Sequence, residues 1–230
     1  MDIQTQICPN PVFIIGSPRS GTSILGWSLA HHSRFWTSNE SHILFDLYGN
    51  GHVNRAFQIA KKRHSNGWLN VQGVETAEYL QYAGVGLNAL FTSRSEGKRW
   101  VDHTPLHNHM VETLGEMFPE AFFLHILRDG RSVVNSMVNF LDRSAGDDPA
   151  PAWVDFTEAC RTWRRYTEIA MDFGARNPTR CLTVVNEELV AEPVEGFRKI
   201  LRFLDAPNEE GPANYFQTNR INSSFGAGSR

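Results

Sequence analysis

Short apolar runs alternate along this chain with longer stretches of helical spacing. Val12-Phe13-Ile14-Ile15 is unbroken and closes on Gly16, which predicts a strand buried on both faces. Gly21 to about His32 reads as a helix, and Arg34 to Asn39 as a loop returning across the top of a sheet. Arg55 to His64 and Val74 to Leu90 have helical spacing, the second interrupted by Gly84 and Gly86. Arg99-Trp100-Val101 is a short strand leading to Asp102-His103-Thr104-Pro105, and His107 to Met117 is a helix stopped by Phe118-Pro119. Ala121 to Leu127 is a second continuous apolar run, carrying one His, and it ends at Arg128-Asp129-Gly130. A helix from Arg131 to Phe140, a loop from Ala145 to Pro151, a long helix from Ala152 to Phe173 and the strand Cys181 to Val185 follow. Strands alternating with helices predict an α/β fold with a mainly parallel sheet and ligands at the carboxyl ends of the strands.

Polar chemistry gathers at three of those ends. Gly16 and Gly21 have the G-x-x-x-x-G spacing of a phosphate-binding loop, whose backbone N–H groups and following helix N-terminus hold anionic oxygens. The position after the second glycine is Thr22 and not Lys, Ser23 follows, and the cation of the loop is Arg19. Such a loop suits a phosphate other than a triphosphate. Arg128 closes the second apolar run, and Ser132 and Ser136 share one face of the next helix, so a hydroxyl and a guanidinium can meet one anion there. Taken alone, Arg128-Asp129 equally suits a strand-end ion pair. Asp102 to Pro105 forms the third end. The whole predicts a P-loop-like three-layer fold in which a mainly parallel central sheet is flanked by helices, with a helical substrate-side cap at about residues 41–95.

Composition narrows the partners. The chain has 230 residues, 41% hydrophobic and 20% charged, the balance of a soluble globular protein, and a single domain over residues 1–230 is expected. A formal charge of −3 gives no basic field for nucleic acid. Cys8, Cys160 and Cys181 are odd in number and widely spaced, which fits reduced cytoplasmic thiols better than disulfides or zinc. No metal site is expected. Met1 to Gln6 lack a basic and apolar leader pattern and the apolar runs are strand-length, so neither a signal peptide nor a membrane span is expected.

Two segments together resemble a known family. Gly16-Ser17-Pro18-Arg19-Ser20-Gly21-Thr22-Ser23 is similar to the 5′-phosphosulfate loop of sulfotransferases that use 3′-phosphoadenosine-5′-phosphosulfate (PAPS), and Arg128-Asp129-Gly130-Arg131-Ser132-Val133-Val134-Asn135-Ser136-Met137 to their 3′-phosphate motif. The likeness is strongest to tyrosylprotein sulfotransferases and their bacterial relatives, extends to a helix carrying Trp163, and covers roughly residues 12–205. It implies a sulfotransferase domain that moves a sulfuryl group from PAPS to a hydroxyl acceptor and releases 3′-phosphoadenosine-5′-phosphate (PAP), without a metal. It assigns Pro18, Arg19, Ser20, Gly21, Thr22, Ser23, Arg128, Ser136 and Asn186 to the nucleotide. Arg19 would also neutralise the leaving group, and Glu40 stands where relatives carry a base. Two positions depart from the pattern: Asn186 replaces a family Tyr, and His103 replaces a family Lys.

The residues keep alternatives open. Glu40 also suits a carboxylate favouring the dipole of a helix over Ile43 to Tyr48, with His42 as a reserve base. The resemblance makes His103 a second candidate base, because other branches of the superfamily use a His near this strand end, or a neutral donor to a sulfuryl oxygen; it equally suits a surface or internally hydrogen-bonded histidine. Relatives place a loop that closes over the 3′-phosphate near the end of this sequence, so the resemblance makes Arg220 or Arg230 a candidate for that contact, and either equally suits a solvated charge. A P-loop nucleotide kinase and a nucleotide-binding module without catalysis are the competing functions, although the run ending in Arg128 lacks the carboxylate of a Walker-B strand. The acceptor is left as a small-molecule alcohol or phenol, a carbohydrate or a peptide tyrosine, and the oligomeric state is undetermined.

Overall fold

The computed structural model describes residues 6–140 and 155–219. Its centre is a five-stranded sheet built from β1 (Val12–Ile15), β2 (Phe35–Thr37), β3 (Arg99–Asp102), β4 (Phe122–Leu127) and β5 (Cys181–Val185), in the order β2-β3-β1-β4-β5. Every adjacent pair is parallel, with Val12 opposite both Val101 and Phe122, and Phe35 opposite Arg99. β1 is therefore the central strand, and the carboxyl ends of its two neighbours flank the loop that follows it. The chain leaves β1 in one direction for β2 and later crosses to β4 on the other side, the reversal of strand order at which α/β sheets open a ligand crevice.

The alternation within β1 sets the layers. Phe13 and Ile15 face one side, packing with Trp100, Leu114, Phe118, Phe123 and Phe173. Val12 and Ile14 face the other, packing with Leu25, Leu29, Phe197, Ile200 and Leu201. Both faces of β1 are fully buried, as its unbroken apolar run requires. Helices α1 (Thr22–Leu29), α10 (Pro193–Phe203) and α11 (Gly211–Thr218) cover the second face, while α6 (Val111–Met117) and α8 (Phe156–Arg176) cover the first. On α8, Ala159, Tyr166, Ala170 and Phe173 are buried, a stripe of helical period. Its start is capped by Asp155, whose carboxylate accepts from the N–H groups of Thr157 and Glu158. His125 on β4 lies where burial pushes its pKa down to about 4, so a neutral ring occupies this strand.

Between β2 and β3 the chain forms α2 (Ile43–Tyr48), α3 (His52–Arg63), α4 (Trp68–Val71) and α5 (Thr76–Thr92). The remaining helices are α7 (Gly130–Val138), after β4, and α9 (Asn186–Ala191), after β5. No helix among the described residues is long and apolar enough to cross a membrane.

Two elements differ from the sequence expectation. Phe35–Thr37 is not loop but an edge strand, locked to β3 by the Thr37 hydroxyl donating to the Val101 carbonyl at 2.8 Å. Three residues are too few to display a period, yet the aromatic and β-branched side chains fit a half-buried pleat. The expected helix from His107 is a 3₁₀ stretch, Pro105–Met110, followed by α6. The expected loop at Ala145 to Pro151 and the helix start at Ala152 lie outside the described residues, as do Arg220 and Arg230.

The two glycines interrupting α5 have opposite surroundings. A Cβ on Gly84 would strike the Met117 backbone, whereas one on Gly86 meets nothing within 4 Å. Gly84→Ala should therefore destabilise the fold by about 1–3 kcal/mol through overpacking, while Gly86→Ala should stabilise it by roughly 0.5–1 kcal/mol. Urea unfolding of the two variants measures both, and equal effects of one sign would contradict the packing.

Candidate active site

The loop after β1 is shaped by backbone that ordinary residues avoid. Gly16 has φ 149° and Gly21 φ 109°, and a Cβ on Gly16 would lie 2.6 Å from the Ile126 carbonyl oxygen, so the loop can lie against β4 only with glycine there. Arg19 itself has φ 69°, a left-handed conformation that costs a non-glycine residue about 1–2 kcal/mol. Such strain is characteristic of functional loops. α1 begins immediately after Gly21 with no side-chain cap and no acidic residue in its first turn. Its first N–H groups lack intrahelical acceptors and carry the positive end of the helix dipole.

The loop and the segment after β4 meet through Arg19. Its Nε donates to Ser136 Oγ at 3.2 Å, its guanidinium lies 4.5 Å from the centre of the Phe140 ring, and Arg128 Nη1 donates to the Arg19 carbonyl at 2.9 Å. Burial, together with the Arg128 charge, lowers the proton affinity of the Arg19 guanidinium. Two guanidiniums held this close disfavour one another, a repulsion that an anion beside them relieves. Arg128 is in turn set by Trp163, whose Nε1 donates to the Arg128 carbonyl at 3.2 Å. Asp129 does not serve as a partner of Arg128 in a simple strand-end ion pair. It caps α7, accepting from the Ser132 N–H at 3.0 Å and the Ser132 hydroxyl at 3.2 Å, and it pairs with exposed Arg131.

These groups open on a cleft of about 1080 Å³. Pro18, Arg19, Gly21, Thr22, Ser23, Arg128, Ser136, Asn186 and Glu40 all line it. Ser20 does not: it is buried, with its hydroxyl on the Ser17 carbonyl at 2.6 Å and its N–H on the same oxygen at 3.1 Å. It shapes the turn instead of facing the cleft. Asn186, the first residue of α9, brings its Oδ1 within 3.2 Å of where a Cβ on Gly21 would stand.

Glu40 follows edge strand β2 and sits on the cleft wall with its side chain 30% exposed and His42 Nε2 3.6 Å from its carboxylate. Burial raises its pKa, the His103 and His42 rings pull it down, and Asp102 pushes it up again, leaving it above the ordinary carboxylate value. His103 is 3% exposed and does not line the cleft. Its Nε2–H donates to the Ser38 carbonyl at 3.0 Å and its ring packs under α1, where a Cβ on Gly26 would come within 2.5 Å of it. The structure thus brings Glu40 to the cleft and His103 to the back of the Glu40 loop.

Sequence reasoning missed part of the wall. His109 and Tyr166 line the cleft beside Glu40, their rings 4.4 Å apart, and burial pushes the Tyr166 phenol up to about 12. Val190, Pro193 and Phe216 add an apolar stretch near Asn186. Tyr166 had a signal, being a polar aromatic on the buried stripe of α8, but Phe216 had none, because only the packing of α11 against α1 brings it there. Among the described residues no three His, Cys, Asp or Glu side chains gather to hold a metal ion.

A family model described as "Sulfotransferase family" matches residues 11–210. A protein-tyrosine sulfotransferase of Drosophila melanogaster is 27% identical over 203 residues, covering 85% of this chain and 38% of the fly protein. Protein-tyrosine sulfotransferase A of Caenorhabditis elegans is 28% identical over 202 residues, covering 85% of this chain and 50% of that one. The chain thus spans half or less of the length of these two relatives. Among solved structures, a sulfotransferase domain from the curacin biosynthetic pathway superposes with a TM-score of 0.60 at 19% identity, covering 96% of this chain and 82% of that one. A sulfotransferase domain from the Synechococcus PCC 7002 olefin synthase gives 0.59 at 24% identity, covering 95% and 83%. These two share the fold.

A Cβ on Gly130 would come within 2.9 Å of the Trp163 ring, the ring that holds the Arg128 carbonyl. Gly130→Ala should displace that indole and destabilise the protein by about 1–3 kcal/mol. The expected result is a shifted Trp163 indole N–H resonance with a lower urea midpoint, and an unmoved resonance would refute the contact.

Proposed function

The chain belongs to the sulfotransferase family, and from that premise we propose that it transfers a sulfuryl group from PAPS to a hydroxyl acceptor and releases PAP. The observation that carries the reading is the junction of Arg19 with Ser136 and Arg128, which sets two anion-binding segments side by side in one cleft. A ligand with anionic groups at two separate positions, such as a 3′,5′-substituted nucleotide, uses both. The loop N–H groups, the N-terminus of α1, Thr22 and Ser23 suit the 5′-phosphosulfate, while Arg128 and Ser136 suit the 3′-phosphate. Asn186 and the apolar stretch of Val190, Pro193 and Phe216 offer a wall for the adenine. A P-loop nucleotide kinase acting on ATP would carry a Lys after Gly21 and a carboxylate at the end of β4, where this chain has Thr22 and Arg128.

Glu40 acts as the general base. A carboxylate with a raised pKa takes the acceptor hydroxyl proton as the new oxygen–sulfur bond forms. Arg19 donates to the phosphate oxygen on which charge grows as the old sulfur–oxygen bond breaks, so that PAP departs with the electron pair. His109 and Tyr166 stand beside Glu40 and are in place to orient the acceptor. The named relatives support a peptide tyrosine as one acceptor class, with small-molecule alcohols, phenols and carbohydrates as the others.

Calorimetry with PAP and with ATP plus Mg²⁺ tests the nucleotide: PAP should bind and adenosine 5′-phosphate should bind more weakly, whereas ATP binding without PAP binding would replace the reading by a kinase. PAPS presented with a panel of phenols, alcohols, sugars and tyrosine peptides should yield an acceptor with the mass of an added sulfuryl group. With that acceptor, Arg19→Ala should lose about 10²–10³ in turnover and Glu40→Gln about 10²–10⁴. PAP binding without turnover of any acceptor would leave an inactive nucleotide-binding module. Because Glu40 must be ionised to act and its pKa is raised, the rate should fall with decreasing pH from a point above the ordinary carboxylate range. An acid limb below that range would exclude Glu40 as the base.

A further inference from the structure

The loop that carries Glu40 is pinned on both sides of it by the carboxyl end of β3. On one side, His103 holds the Ser38 carbonyl. On the other, the Ser41 N–H donates to Thr104 Oγ1 at 2.9 Å and the Ser41 hydroxyl donates to Asp102 Oδ2 at 2.5 Å. The remaining Asp102 oxygen accepts from the Thr104 N–H at 2.9 Å and the Thr104 hydroxyl at 2.7 Å. Asp102 and Thr104 are buried, and His107 Nδ1 lies 3.3 Å from Asp102 Oδ1. A carboxylate placed this deep costs several kcal/mol unless its lone pairs are satisfied. Here burial alone would raise its pKa, but the His107 ring and the donors from Ser41 and Thr104 outweigh that and keep it low.

We propose that Asp102 and Thr104 are positioning residues for Glu40: through Ser41 they hold the Glu40 carboxylate on the cleft wall, with His103 fixing the other side of the same loop. The proposal rests on the reading of Glu40 as the base. Its physical content is that a short loop after an edge strand has no ladder of its own beyond Thr37, so the orientation of Glu40 comes from side chains of the neighbouring strand. A misplacement of about 1 Å in a reacting group can cost about 10²-fold in rate, which gives such a clamp its consequence. The clamp also reaches Glu40 electrostatically, since Asp102 is one of the charges acting on it. The other titratable groups facing Glu40 are His42 on its own loop, His103 from the β3 end and Tyr166 from α8. His109 shares the cleft wall, and Arg19 and Arg128 line the same cleft.

The test reads Glu40 directly and needs no acceptor. In protein carrying ¹³C-labelled glutamate side chains, the Glu40 carboxyl signal is assigned by its loss in Glu40→Gln and titrated in wild type, Asp102→Asn, Thr104→Val and Thr104→Ser. Thr104→Val keeps the shape of the side chain and removes the hydroxyl that both accepts from Ser41 and donates to Asp102. The Glu40 midpoint should fall by about 0.5–1 pH unit in Asp102→Asn, which loses a nearby negative charge, and in Thr104→Val, which frees the carboxylate into water. Thr104→Ser should restore the wild-type midpoint. PAP affinity should stay within about twofold throughout, because the hydrogen bonds of the clamp join Ser41, Asp102 and Thr104 and reach neither the loop after β1 nor the segment after β4. A wild-type midpoint in Thr104→Val overturns the proposal, and this variant decides the matter if Asp102→Asn does not fold. Failure of wild-type protein to bind PAP would remove the sulfuryl-transfer reading instead, leaving the titration result to stand on its own.

Discussion

Everything at the site depends on the contact between Arg19 and the β4 side of the cleft. Arg19 is held in a left-handed conformation, its side chain reaches Ser136, and its carbonyl is gripped by Arg128. The contact exists because β1 and β4 are hydrogen-bonded neighbours, with Ile15 opposite His125, so that their two following segments emerge side by side. The tightness comes from Gly16, which lets the loop press against the Ile126 carbonyl. On the far side, Gly130 lets Trp163 reach the Arg128 carbonyl. Small residues at two close approaches therefore set the spacing of two large cations.

That spacing brings like charges together. Two guanidiniums in a partly dry cleft repel one another, and the neighbouring backbone amides and helix terminus add partial positive charge. Glu40 stands on another part of the wall, where burial keeps its proton affinity high. The cleft thus has a cationic region and, apart from it, a carboxylate of raised proton affinity. The sheet holds them apart by strand order: the cations belong to β1 and β4, the carboxylate to β2 and β3.

The division between legible and illegible features follows the range of the interactions. The glycine-framed turn at Gly16 to Ser23 and the capped helix start after Arg128 are legible because each is a local backbone motif. That the Ser20 hydroxyl faces its own turn is not legible, because this depends on a bond to the Ser17 carbonyl that the motif does not specify. His103 is a catalytic candidate only through the family resemblance, and no local window shows that the packing of α1 over it and its bond to Ser38 turn it to the back of the Glu40 loop. Phe35–Thr37 escaped notice because a three-residue edge strand gains its identity from β3 and not from its own pattern.

By itself the sequence determined the alternation of strands and helices, the glycine-framed loop after β1, the Arg128 strand end and the presence of a carboxylate at residue 40. These follow from periodicity, glycine spacing and charge, which act over a few residues. Tertiary structure decided which strand ends are adjacent, that Arg19 meets Ser136, and that Ser41 is tied to Asp102 and Thr104 across more than 60 positions of chain. The reason is physical: strand order and side-chain direction are settled by burying both faces of β1 at once, a condition on the whole molecule that no local window contains.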